Sequence, residues 1–208
     1  MYGLFCCSLV TINFNIQMKK ILKYLSISFA ALLGACSRPA ERPIELSPST
    51  SSSSIYSIPL KDIKGNSTDL TPYKGKKMMI VNTASKCGYT HQYKDLQRLQ
   101  DEYSEKIVVL GFPSNQFGGQ EPGTEAEIVE FCEKNFSVSF PLFEKIDVKG
   151  DKQSPLYSWL TDKSKNGWNE QEPSWNFCKY IIDEKGSLIA FFPAKTEPYN
   201  EKIISLLK

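Results

Sequence analysis

Apolar and polar positions are unevenly distributed along the chain, and the unevenness marks out its elements. Lys77 to Thr83 (KMMIVNT) is a compact apolar run, which predicts a strand buried on both faces. Ile107 to Phe112 (IVVLGF) predicts a second strand of the same kind. Between them, Leu96, Leu99 and Tyr103 recur at helical spacing with charged residues in the gaps, so Tyr93 to Tyr103 reads as an amphipathic helix. Two buried strands with a helix between them form a βαβ unit, with a right-handed crossover and parallel pairing.

The flanking segments extend this unit. Ile55 to Leu60 alternates and predicts a short strand, followed by a turn at Lys64-Gly65-Asn66 and a second short segment ending at Leu70. Thr124-Glu125-Ala126-Glu127 is a capping box that should start a helix running to about Asn135. Phe140 to Val148 leads to a turn at Lys149-Gly150-Asp151, and Leu156 to Lys163 reads as a helix. Phe177 to Asp183 and Ser187 to Phe192 flank Asp183-Glu184-Lys185-Gly186, a hairpin signal. Tyr199 to Leu207 closes the chain as an amphipathic helix. The expected fold is α/β and thioredoxin-like, a central mixed β-sheet flanked by helices, over residues 55–208.

The first 54 residues follow different rules. Lys19, Lys20 and Lys23 precede an apolar stretch that runs from Leu25 through Leu33, the layout of a secretory signal beginning at Met18. The apolar part is too short for a bilayer core that needs about 20 residues. It ends at Leu33-Gly34-Ala35-Cys36, which resembles the lipobox of bacterial lipoproteins. That resemblance implies cleavage before Cys36, acylation of its thiol, and an exported protein anchored to a membrane and facing the periplasm or cell exterior. Residues 37–54, with Pro39, Pro43, Pro48 and a serine run, predict a flexible tether. Residues 1–17 fit poorly in front of a signal and read as an upstream extension of the true start.

Composition narrows the chemistry by exclusion. A net charge of +2 with both signs interspersed gives no reason to invoke nucleic acid. The basic cluster at Lys74 to Lys77 is interrupted by Gly75 and reads as a solvated turn. Of six cysteines, Cys87, Cys132 and Cys178 fall in the expected domain, without the spacing of a disulfide framework or a zinc site. His91 is the sole histidine, so no metal or cofactor is expected.

Cys87 stands in Asn82-Thr83-Ala84-Ser85-Lys86-Cys87-Gly88-Tyr89-Thr90, directly after the first buried strand and just before the helix. Free backbone N–H groups, the helix dipole and nearby Lys86 all favour a thiolate there. From the local sequence alone it reads equally well as a small core residue. Two further blocks change that balance. Phe112-Pro113-Ser114-Asn115-Gln116-Phe117-Gly118-Gly119-Gln120-Glu121-Pro122 follows the second strand, and Trp175-Asn176-Phe177 precedes the hairpin. In order and spacing, the three blocks resemble the signatures of the glutathione peroxidase family across essentially all of residues 55–208.

The resemblance implies that Cys87 is the peroxide-attacking cysteine, and that Gln120, Trp175 and Asn176 complete a catalytic tetrad. An amide and an indole can donate hydrogen bonds to a thiolate, and to the leaving oxygen, without protonating the sulfur. Cys132 matches the resolving cysteine of thioredoxin-dependent members, a reading preferred to simple packing within its helix beside Ile128 and Phe131. Resolution at Cys132 would require that helix to unwind locally.

The implied substrates are hydrogen peroxide and organic or lipid hydroperoxides, with a thioredoxin-like dithiol protein or glutathione as reductant. Ser114 stands where many relatives carry cysteine, and Cys178 reads as a buried structural thiol. The short segment from Leu160 to Ser174 resembles that of the monomeric branch. A thiol–disulfide oxidoreductase would want a second cysteine where Thr90 stands, whereas a redox relay to a partner protein shares the same first step.

Overall fold

The computed structural model describes residues 38–42 and 54–208. The signal segment, Cys36 and most of the expected tether lie outside the described residues. Among those described, no helix is long and apolar enough to cross a membrane.

The strands are β1 (Ala40–Glu41), β2 (Leu60–Lys61), β3 (Ser67–Thr68), β4 (Lys77–Thr83), β5 (Ile107–Pro113), β6 (Lys179–Ile182) and β7 (Leu188–Phe192). The helices are α1 (Gln92–Tyr103), α2 (Glu125–Phe136), α3 (Pro155–Thr161), α4 (Lys163–Asn166) and α5 (Glu201–Ser205). The main sheet has the order β1-β7-β6-β4-β5, and β2 and β3 form a separate pair. β4 and β5 are parallel over their full length, from Lys77 opposite Ile107 to Thr83 opposite Pro113. The other neighbours are antiparallel, so the sheet is mixed.

Alternation in β4 and β5 serves two cores. Met78, Ile80, Leu110 and Phe112 face Leu156, Tyr157 and Trp159 of α3. Met79, Val81 and Val109 face Tyr93, Leu96 and Leu99 of α1 and Ile128 of α2. A strand with both faces covered must be apolar throughout, which explains the two continuous runs. Truncating a fully buried residue such as Ile80 or Leu110 to alanine would cost about 2–5 kcal/mol.

The capping box forms as expected: Thr124 Oγ1 accepts from Glu127 N–H at 3.3 Å, and Thr124 N–H donates to Glu127 Oε2 at 2.7 Å. The hairpin turn also forms, with Gly186 at φ 86°. Four expectations need correction. Ile55 to Ser57 is a 3-10 turn capped by Ser54, and regular pairing begins only at Leu60. The turn buries the consecutive residues Ile55 and Tyr56, which a strand would send to opposite faces, and Pro59 lacks a ladder donor. Leu156 to Lys163 is not one helix, because Asp162 turns its carboxylate to Ser164 N–H and caps a new one. The last helix is shorter than expected, since Asn200 acts as its N-cap and accepts from Lys202 N–H. Finally, part of the expected tether is a strand. Ala40 and Glu41 pair with Phe191 and Ala190, and Arg42 N–H donates to Ile189 O at 2.9 Å.

Candidate active site

β4 and β5 end on the same edge of the sheet, and β6 begins there. Asn82, next to last in β4, joins these strand ends. Its Nδ2 donates to Trp175 O at 2.9 Å, and its Oδ1 accepts from Cys178 N–H at 3.0 Å. Its own carbonyl accepts from Phe177 N–H. The segment preceding β6 is therefore clamped onto the end of β4. Phe177 takes a left-handed conformation, φ 66°, which L side chains rarely adopt. Its buried ring, edge-on to Tyr93 at 5.3 Å, supplies packing that offsets the strain.

Cys87 lies in the loop that follows. Thr90 closes this loop: its Oγ1 accepts from Cys87 N–H at 3.0 Å and donates to Ala84 O at 2.8 Å. A threonine thus builds the turn at the position where a dithiol oxidoreductase would carry its second cysteine. The thiol is buried at 9% exposure, and Tyr89 N–H points at Sγ from 3.4 Å. Among the described residues, Tyr89 is the one that donates to this sulfur. His91 is not a base for Cys87, since its ring meets Gly88 O at 3.0 Å and Glu197 at 3.4 Å on the surface.

Gly118 and Gly119 are consecutive left-handed residues, φ 65° and 64°, which return the chain toward the Cys87 loop. Lys86 N–H then donates to Gln120 O at 3.0 Å. The side chain of Gln120 accepts from Asn176 Nδ2 at 3.0 Å, which leaves its own NH2 as a donor. Trp175 is 39% exposed, with its ring over Phe117 at 5.8 Å. Of the expected tetrad, the structure joins Gln120 to Asn176 by side chains and Gln120 to the Cys87 loop by backbone. Trp175 is held through its carbonyl, and its indole does not meet the sulfur within the described hydrogen bonds.

Cys132 is fully buried in α2, in the same apolar cluster as Cys87. Burial pushes its thiol up to about 11, and negative Glu121 and Glu133 act in the same direction. The Tyr93 hydroxyl lies close enough to couple with this thiol, yet it forms no hydrogen bond of normal length. Ile128 and Cys132 are the buried residues of α2, and Phe131 and Phe136 are partly buried against the same cluster. Cys178 lies in the cluster on the opposite face of the sheet. All three described cysteines are free thiols.

Two features were missed by sequence reasoning. A cleft of about 350 Å3 opens between the Cys87 loop and α2, lined by Ser85, Lys86, Glu121, Glu127, Ile128 and Phe131. Glu121 is buried at its base, accepts from Ser85 Oγ at 3.2 Å, and is raised above the usual carboxylate range by that burial. Only its position directly after Gln120 could have flagged it. Lys179 is also fully buried, and its ammonium donates to Gln92 Oε1, at the start of α1, and to Thr196 O. Burial lowers it to about 7. The missed signal was a lysine between apolar residues at the start of a strand buried on both faces.

Comparison with known proteins bears on the family and the fold. The family model described as glutathione peroxidase matches residues 55–161. A glutathione peroxidase homolog of Bacillus subtilis, BsaA, is 45% identical over 158 residues, covering 74% of this chain and 99% of its own. The glutathione peroxidase-like peroxiredoxin 2 of Saccharomyces cerevisiae is 43% identical over 157 residues, 74% of this chain and 97% of its own. A crystal structure described as Trgpx in apo form superposes with a TM-score of 0.58 at 40% identity, covering 76% of this chain and 97% of that one. A DsbF homologue from Corynebacterium diphtheriae, 16% identical with a TM-score of 0.55 over 83% of this chain and 95% of its own, shares the thioredoxin-like fold.

Proposed function

The chain belongs to the glutathione peroxidase family and is a peroxidase, and from that premise we propose a two-cysteine cycle that begins at Cys87. The observation that carries this reading is the bonded pair Gln120–Asn176, tied through Lys86 to the loop that holds Cys87. The Cys87 thiolate attacks the terminal oxygen of a hydroperoxide and the O–O bond breaks. The sulfur becomes a sulfenic acid, while the alkoxide or hydroxide takes up a proton and leaves as alcohol or water. The Tyr89 N–H faces the sulfur, and the free NH2 of Gln120 and the Trp175 indole are donors for the departing oxygen.

Cys132 then condenses with the sulfenic acid. An S–S bond forms, and the hydroxyl leaves as water with the proton of the Cys132 thiol. α2 unwinds for this step, which exposes the thiol and removes the burial that holds it protonated. The disulfide is reduced by a thioredoxin-like dithiol protein, with glutathione a poorer donor. Hydrogen peroxide and organic or lipid hydroperoxides are the substrates, and the protein acts as a monomer. Acylation of Cys36 places it on a membrane outside the cytoplasm.

Steady-state hydroperoxide consumption tests this with thioredoxin and glutathione compared as reductants. Faster turnover with thioredoxin is expected, abolished in Cys87→Ser. Undiminished turnover in that variant would overturn the reading.

A further inference from the structure

The cleft of about 350 Å3 separates the loop that carries Cys87 from the helix that carries Cys132. Ser85 and Lys86 of the loop line one side, and Ile128 and Phe131 of α2 line the other. Ile128 and Cys132 are one helical turn apart on the buried face of α2. The unwinding proposed above brings Cys132 toward Cys87 past this cleft.

Glu121 is the buried carboxylic acid of the cleft, 1% exposed, and attack on the peroxide makes no use of it. Its backbone is held at both ends, since its N–H donates to Asn115 Oδ1 at 2.9 Å and its carbonyl accepts from the Lys145 ammonium at 3.0 Å. The carboxylate accepts from Ser85 Oγ, a neutral partner, while Lys145 also donates to Gly123 O. Lys86 and Lys145 favour its ionised form from a distance without outweighing burial. A carboxyl so placed exchanges its proton nearer neutrality than an exposed one, which suits general acid–base work.

The other titratable groups around the cleft are engaged elsewhere or hold their protons. Lys86 is exposed. The Glu127 carboxylate accepts from Thr124 N–H and Oγ1 in the capping box. The Tyr93 hydroxyl is buried and stays protonated far beyond neutral pH. Cys132, pushed up to about 11 in the folded helix, feels the charge of Glu121 and needs a base to lose its proton.

We infer that Glu121 is the acid–base residue of disulfide formation, carrying the proton of the Cys132 thiol to the hydroxyl that leaves the Cys87 sulfenic acid. This rests on the two-cysteine cycle proposed above. The carboxylate takes the thiol proton as the Cys132 sulfur bonds to the Cys87 sulfur and the S–O bond breaks. The carboxyl then gives that proton to the departing hydroxide, which leaves as water. One thiol and one sulfenic acid become one disulfide and one water, and Glu121 ends ionised as it began.

The test follows the reduced protein after one equivalent of hydrogen peroxide, with quenched samples read for sulfenic acid and for the Cys87–Cys132 peptide pair. Parent, Glu121→Gln and Glu121→Asp are compared from about pH 6.5 to 8. In Glu121→Gln the Cys87 sulfenic acid should accumulate and close to the disulfide about 100-fold more slowly than in the parent. Its closure should quicken about tenfold per pH unit, because only the spontaneously ionised thiol then reacts. The parent should be nearly flat over this range, its carboxylate being already ionised. Glu121→Asp keeps a carboxyl and should close about tenfold faster than Glu121→Gln. A glutamine variant that closes at the parent rate, or slowly with the parent's pH profile, would overturn the assignment. So would an aspartate variant no faster than the glutamine one. Failure of both variants to form the sulfenic acid would overturn it by placing Glu121 in support of Gln120. A parent that forms no Cys87–Cys132 pair would overturn the cycle and this role with it.

Discussion

Asn176 donates its side-chain N–H to the carboxamide oxygen of Gln120 at 3.0 Å, joining two loops 56 positions apart in the chain. The bond fixes which end of Gln120 is free, because an oxygen already accepting from Asn176 leaves the NH2 as the donor for the site. Asn176→Ala should therefore lower kcat/KM for hydroperoxide by about 10- to 100-fold, within the range for loss of an oriented oxyanion donor. The KM for the reducing dithiol should not move. Parent kcat/KM in this variant would mean that the pair does not organise the site.

Gln120 also depends on the two glycines before it. Gly119 sits at φ 64° with open space where a Cβ would be, so Gly119→Ala meets backbone strain rather than a clash. The expected cost is about 1–2 kcal/mol in urea unfolding. If the loop relaxes instead, Gln120 shifts and peroxide reactivity falls while stability is retained. An alanine variant matching the parent in both would show that the left-handed pair is dispensable.

Which parts of this fold were legible in the sequence follows from how burial is written into it. β4 and β5 announce themselves because both faces are covered and no polar residue interrupts the apolar run before Asn82. β1 does not, because two residues on a sheet edge need only backbone pairing, and prolines and serines surround them. Cys87, Gln120, Trp175 and Asn176 stand in three short blocks whose order and spacing resemble a family's signatures, and the structure joins Gln120 to Asn176 beside the Cys87 loop. Asn82 belongs to one of those blocks, yet its role as a clamp depends on contacts 93 and 96 positions away. Local pattern carries no trace of such contacts. Nor does it reveal that the Cys87 sulfur faces Tyr89 N–H rather than the Gln120 amide.

Lys179 should make stability depend on pH. Its folded-state value, lowered to about 7 by burial, lies below that of an exposed lysine. Between these values the unfolded chain binds a proton that the native state lacks, so stability rises with pH through the window and is lost as pH falls toward 7. From pH 7.0 to 8.0, below the ordinary thiol range in which Cys132 of the unfolded chain ionises, the gain should be about 1 kcal/mol by urea unfolding. Lys179→Met should flatten the profile over that interval. An unchanged slope would assign the titration to another group.

The most direct test is peptide mass spectrometry of the reduced protein after one equivalent of hydroperoxide, with samples quenched in time by a thiol-blocking reagent. An early Cys87 sulfenic acid should give way to a peptide pair linked through Cys87 and Cys132, with Cys178 still alkylated as a free thiol. In Cys132→Ser the sulfenic acid should form and persist. Peroxide consumed while Cys87 stays reduced, or a first disulfide that joins Cys178, would contradict the proposed cycle.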